Sequence, residues 1–158
     1  LLQGGLNVAL VSDAGMPGIS DPGFLAVRAA HQHDIRVEVI PGADAATTAL
    51  LASGLPCDTY CFEGFLPLKK GRQKRLKELA EEERSLIIYE SPKRLLKLLN
   101  EIKSYFGDHR LAAVARELTK KFEEVQRGTI IELIQIFEER DQIKGEIVVV
   151  VSGKGYSE

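Results

Sequence analysis

Near its carboxyl end the chain reads GEIVVVV, Gly145 to Val151, apolar almost throughout. A strand with one wet face alternates apolar and polar residues, whereas an unbroken apolar run must be covered on both faces. This segment is therefore expected at the centre of a sheet with helices on either side. The rest of the chain agrees. Strand-like runs NVALVS (7–12), VEVI (37–40), YCFEGF (60–65), SLIIYE (85–90) and LAAVAREL (111–118) alternate with segments of helical spacing. In KRLLKLLNEIKSYFG, for example, Leu95, Leu98, Leu99 and Ile102 share one face. Such alternation specifies an α/β fold, and the opening β-α-β-α run, NVALVS through PGADAATTALLASG, a parallel or mostly parallel sheet. EEVQRGT (123–129) reads as one more strand, antiparallel to a neighbour, and IIELIQIFEER as a helix.

Punctuation between these segments is equally readable. Asp21-Pro22 reads as the cap and first turn of a helix through FLAVRAAHQH, and Ser91-Pro92 as the start of the helix after SLIIYE. Gly54 and Pro56 end the small-residue helix within PGADAATTALLASG. From Leu55 to Arg72 the texture changes to Gly, Pro and aromatics, which places a boundary between two α/β domains, 1–56 and 57–158. The start, LLQGGLNVALVS, lacks Met and enters a strand almost at once. It has no charged n-region and reads as the middle of a domain, so a truncated chain is expected.

Composition narrows the function classes. Hydrophobic residues make up 44% of the 158 and charged ones 28%, enough for a packed core. The net charge of -2 excludes a global electrostatic grip on nucleic acid, so any such contact needs a local basic patch. Cys57 and Cys61 form a lone C-x3-C with no second pair, which reads as ordinary thiols in a reducing cytoplasm. His31 and His33 point to different faces of one helix, and no metal site is expected. No apolar run approaches the roughly 20 residues that span a bilayer.

The first long loop, SDAGMPGISDPG (12–23), spends twelve residues where two to six usually connect a strand to a helix. Gly15, Gly18 and Gly23 permit close backbone approach. Asp13 stands beyond a strand end, where open α/β sheets place ligands, yet it reads equally well as closing a turn. Neither G-x-x-x-x-G-K-[ST] nor G-x-G-x-x-G is present, and the carboxylates argue against a pyrophosphate guest. IPGADAATTA repeats the pattern at the next strand end, which makes one shared pocket more plausible than either loop alone.

Taken in order, VALVSDAGMPGISDPG, PGADA, SGLP, FEGFLPLKKGR, LIIYESPKR, ARELTK, FEEVQRGT and KGEIVVVV resemble the S-adenosylmethionine-dependent tetrapyrrole methylase superfamily. Within it they are most similar to the ribosomal RNA small subunit methyltransferase I family. The resemblance implies a two-domain tetrapyrrole-methylase-like fold with an incomplete first domain and a mixed second sheet flanked by helices. It also implies methyl transfer from S-adenosyl-L-methionine, leaving S-adenosyl-L-homocysteine, to a cytidine ribose 2'-oxygen of 16S rRNA in the small ribosomal subunit, by a cytoplasmic homodimer. Departures are Met16 where the family usually has Thr, Ala43-Asp44 for Pro-Ser, and Lys93 where His is common. The family's opening strand with a P-T-P-I-G-N-L-type loop, and its E-D-T-R segment, do not occur in this chain.

By matching position, the resemblance assigns the cofactor to a cleft between the domains. One wall has Asp13, Gly15, Met16, Ile19, Asp44 and Ala45; the other has Tyr89, Ala115, Arg116, Gly145, Glu146 and Ile147. A 2'-hydroxyl needs a base within about 2.6 to 3.2 Å, and Glu117 and Lys120 in ARELTK are the expected catalytic pair, unless Glu117 serves only a structural ion pair with Arg116 or Lys121. Lys69–Lys77 holds six cations in nine residues. Lys69, Lys70, Arg72, Lys74, Lys93, Arg94 and Lys121 are the expected RNA contacts, although charge runs also serve as solvated helix faces. Two other readings share these residues: methylation of a porphyrin or corrin, disfavoured by only 6% aromatics, and a folded fragment without activity of its own.

Overall fold

The structure, a computed structural model, describes residues 2–13 and 15–158. The chain divides into two compact units, Leu1–Asp44 and Ala45–Glu158.

In the first unit a 3-10 turn at Leu2–Gly4 is followed by helix α1 (Phe24–Gln32). The strands expected at 7–12 and 37–40 do not form, and Leu6, Val8, Leu10, Val11, Val39 and Ile40 are exposed. A strand exists through the N–H and C=O groups of a neighbour, and among the described residues neither run has one. Asp21 does not cap α1. Its carboxylate accepts the Ser12 hydroxyl at 3.1 Å, and the helix begins after Gly23, whose carbonyl accepts from Ala26 N–H at 2.9 Å. Gly23 sits at φ 145°, where a Cβ would lie 2.5 Å from Leu10 Cδ2 and 3.3 Å from Gly18 Cα. Only glycine lets the loop fold back so closely.

The second unit runs α2 (Ala45–Ser53), β1 (Tyr60–Phe65), α3 (Arg72–Ala80), β2 (Ser85–Glu90), α4 (Leu95–Phe106), β3 (Leu111–Arg116), β4 (Glu124–Thr129), α5 (Ile130–Glu138) and β5 (Ile147–Val151). The strands form one mixed sheet in the order β1-β2-β5-β3-β4. Only β1 and β2 are parallel; β5 runs antiparallel to both β2 and β3, and β4 antiparallel to β3. The unbroken apolar run lies at the centre, as its composition requires. Val149 and Val151 join the core under α3, α4 and α5, with Leu76, Leu95, Leu98, Leu99, Ile102, Leu133 and Phe137. Val148 and Val150 face the other way, onto Ala46, Ala49 and Leu50 of α2. This packing of α2 is why the second compact unit begins at Ala45 rather than near residue 57.

In this unit one helix start differs from the expected one, and another gains a cap that was not expected. Ser91 makes no side-chain cap: the Glu90 carboxylate accepts its N–H at 2.8 Å, and a 3-10 turn at Pro92–Arg94 precedes α4. At α5, Thr129 and Glu132 form a capping box, each side chain accepting the other residue's backbone N–H.

Leu98 is fully buried. Leu98→Ala is expected to destabilise the second unit by about 2–5 kcal/mol, and Thr129→Ala by about 0.5–2 kcal/mol. Urea unfolding followed by circular dichroism measures both, and the order of the two losses checks the assignment of core and cap.

Candidate functional site

Strand directions bring the carboxyl ends of β1, β2 and β3 and the amino ends of β4 and β5 to one edge of the second sheet. In the register, Tyr89 and Ala115 both pair with Val148, and Glu90 and Arg116 both pair with Ile147. Of the expected cofactor residues, Tyr89, Ala115, Arg116 and Ile147 therefore lie in two adjacent rows at that edge, and Gly145 and Glu146 immediately precede β5 there. Ala115 and Ile147 are 1% and 3% exposed, so they offer backbone rather than side chain. A bulge between Phe62 and Gly64 returns Phe65 to the Tyr89 row. Both phenylalanines then meet the Tyr89 ring edge-on, with centroids 5.2 and 5.6 Å away. This aromatic group went unnoticed in the sequence, because only the bulge puts F-x-x-F on one face.

The loop after β3 is held in a strained form. Glu117 and Thr119 have φ of 50° and 64°, values that side chains rarely adopt. Glu117 N–H donates to the Glu146 carbonyl at 3.0 Å, and its carboxylate accepts Glu146 N–H at 2.9 Å and Lys120 Nζ at 3.1 Å. The Glu123 carboxylate accepts Thr119 N–H. A Cβ at Gly145 would lie 2.3 Å from Glu117 Cγ, so the glycine is what admits this clamp. The Glu146 backbone donor, then Lys120, holds the Glu117 carboxyl below its usual range. Through these hydrogen bonds Glu117 ties the loop after β3 to the turn before β5. The partners are Lys120 and Glu146, rather than Arg116 or Lys121.

Two ion-pair networks brace the same edge. The Arg72 guanidinium, 5% exposed, donates to Glu101 through Nε and Nη2 at 2.8 and 2.6 Å and to the Pro67 carbonyl at 3.1 Å; Glu90 lies 3.6 Å away. Glu90 in turn accepts Arg94 at 2.7 Å. Arg72 was expected on RNA but is consumed inside the fold, where Glu101 and the Pro67 carbonyl take its donors. On the far side, Glu124 joins Arg116 at 3.0 Å to Arg140 at 2.9 Å. Arg140, then Gln126 and Arg116, holds the Glu124 carboxyl at about 2.

The remaining cations divide clearly. Lys74 pairs with Glu78 at 3.9 Å and lines a groove of about 420 Å³ with Glu63, Leu66, Pro67, Gly71 and Arg75. Lys69, Lys70, Lys93 and Lys121 are exposed, and among the described residues none has a carboxylate partner. They stand on the loops that follow β1, β2 and β3. In the first unit, a Cβ at Gly15 would lie 3.6 Å from the Ala43 carbonyl oxygen, so the two roomy loops are neighbours there. Asp13 and Ile19 are exposed, and Met16 is half-buried.

Comparison with known proteins matches residues 1–134 to the family model of Tetrapyrrole (Corrin/Porphyrin) Methylases. Ribosomal RNA small subunit methyltransferase I of Haemophilus influenzae is 48% identical over 99% of this chain and 56% of its own length. The protein of that name from Xylella fastidiosa is 51% identical, over 96% of this chain and 56% of its own length. For that of Thermotoga maritima the figures are 47%, 98% and 68%. The chain thus spans about half the length of most curated relatives it matches. Among solved structures, the methyltransferase CobJ superposes with a TM-score of 0.65 at 21% identity, over 91% of this chain and 64% of that one. Uroporphyrin-III C-methyl transferase from Thermus thermophilus, complexed with S-adenyl homocysteine, gives 0.57 at 18%, over 87% and 62%. These two likenesses concern the fold.

Arg72→Met leaves Glu90 and Glu101 without their buried partner and is expected to cost about 3–5 kcal/mol, read by urea unfolding; an unchanged midpoint removes the network from the fold's supports. Glu124 contributes stability above its ordinary value of 4.5, and this is lost as pH falls toward about 2. A titration of unfolding free energy from pH 6 to 2 should therefore decline less steeply in Glu124→Gln than in the unaltered chain.

Proposed function

Because the chain belongs to the tetrapyrrole (corrin/porphyrin) methylase family, we propose that it serves an S-adenosylmethionine-dependent methyl transfer to a ribose 2'-oxygen of 16S rRNA. The observation that carries this reading is the convergence at one sheet edge. Backbone and aromatic groups suited to a nucleoside stand there beside loops carrying Lys69, Lys70, Lys93 and Lys121, while paired arginines only brace the frame. Relatives near 50% identity bear rRNA small-subunit names, which supports the RNA acceptor over a tetrapyrrole.

The cofactor would supply an electrophilic methyl group. The residues present suit it: the half-buried Tyr89 ring and the small Ala115 stand one strand apart on either side of Val148. Asp13, Gly15, Met16, Ile19, Asp44 and Ala45 are proposed cofactor contacts by family position and are tested separately. In-line displacement gains mainly from positioning, which can lower a barrier by ~7–11 kcal/mol. Rigid loops are what this edge contributes to that end. Glu117 and Lys120 hold the 117–123 loop in place beside the reacting groups. The lysines attract phosphates and set the register of the RNA without reading its sequence. Among the described residues no helix is long and apolar enough to cross a membrane, and the reading places the protein with the ribosome in the cytoplasm, as a homodimer.

Calorimetry should show S-adenosylmethionine and S-adenosylhomocysteine binding, weakened by Ala substitution of Tyr89 or Asp13. Labelled methyl should enter 30S subunits as 2'-O-methylcytidine and leave uroporphyrinogen unlabelled; the reverse pattern overturns the RNA reading. Replacing Lys69, Lys70, Lys93 and Lys121 by Gln should flatten the salt dependence of RNA binding by roughly 0.7–0.9 per lost contact. Glu117→Gln with unaltered single-turnover methylation would confirm the clamp and eliminate the base.

A further inference from the structure

Phe122 lies at the tip of the strained loop, just before β4, and is 61% exposed. Lys121 Nζ lies 5.6 Å from the centroid of its ring. An exposed phenylalanine contributes nothing to a core, and this one stands on backbone held by the Glu117–Glu146 and Glu123–Thr119 hydrogen bonds. The carboxylates nearby are engaged: Glu117 and Glu146 with Lys120, and Glu123 with the Thr119 amide. Lys121 therefore remains as the uncompensated charge beside the ring. A rigidly presented aromatic face next to a free cation is the combination that binds unpaired nucleotides, the ring taking a base and the cation its phosphate. At the opposite end of this edge Phe65 and Leu68 are 57% and 61% exposed, shortly before the exposed Lys69 and Lys70 in the chain. Base pairs hide their faces in a stack, so such a surface selects single-stranded RNA over duplex.

We propose that Phe122 is a base-stacking platform for an unpaired nucleotide of the RNA, with Lys121 on the adjoining phosphate. The proposal rests on the RNA reading above and adds the state of the strand and the residue that senses it. Charge complementarity selects this occupant: a phosphodiester strand uses the lysines at both ends, which an apolar protein partner would not.

The test uses the chain with a fluorescent single-stranded RNA 12-mer of mixed sequence and with the same sequence in a duplex, at stepped salt. Phe122→Ala should weaken single-strand binding roughly 5- to 150-fold, as loss of one stacked base does, with an unchanged salt slope and little effect on duplex. Phe122→Trp should restore it, and Lys121→Gln should lower the slope instead. Equal affinity of Phe122→Ala and the unaltered chain for single strand overturns the proposal while leaving the RNA reading intact. Loss on duplex as large as on single strand also overturns it. If the unaltered chain binds neither RNA, the RNA reading falls and this falls with it. If Phe122→Ala changes only the sedimentation of the chain, the ring belongs to an interface between copies, which equally overturns the assignment. Circular dichroism of each variant checks folding, which a residue this exposed should not disturb.

Discussion

Everything at the proposed site depends on the burial of β5. Its five residues are between 0% and 5% exposed, divided between a thick layer of three helices on one face and α2 on the other. Lying antiparallel between β2 and β3, it sends both neighbours in the same direction. That single orientation brings the ends of three strands, with the loops that follow them, to one edge. A parallel central strand would have placed Gly145 and Glu146 at the opposite end of the sheet, out of reach of Glu117.

Given that frame, the edge is stiffened by charge rather than by further apolar packing. Arg72 and Glu90 tie the loop after β1 to the turn after β2, and Glu124 ties Arg116 to α5 through Arg140. Buried pairs of this kind are poor sources of net stability but costly to break singly, so they fix geometry. The positive φ values of Glu117 and Thr119 are sustained by the same economy of short, well-aimed hydrogen bonds. Cations left over from these networks face water, and they are the ones available to a phosphate backbone.

Much of this was readable in the chain itself. Unbroken hydrophobicity in GEIVVVV placed a central strand, helical spacing placed α4, and the ordered motifs pointed to the family that the comparisons then showed. Errors arose where composition was asked to decide a contact. NVALVS has strand composition but no ladder among the described residues; Asp21 has cap chemistry but a different partner; Arg72 has the charge for RNA but a buried address.

Local residue preferences and periodicity therefore determined which segments are helix or central strand and which loops hold unusual backbone, because those properties depend on near neighbours along the chain. Only the tertiary structure decided which lysines stay free, that Glu117 locks onto the turn at Gly145, and that Phe62 and Phe65 flank Tyr89. Each of these depends on residues far apart in sequence meeting at one strand end. Such meetings are set by strand direction, register and a single bulge, and no one-dimensional pattern encodes them.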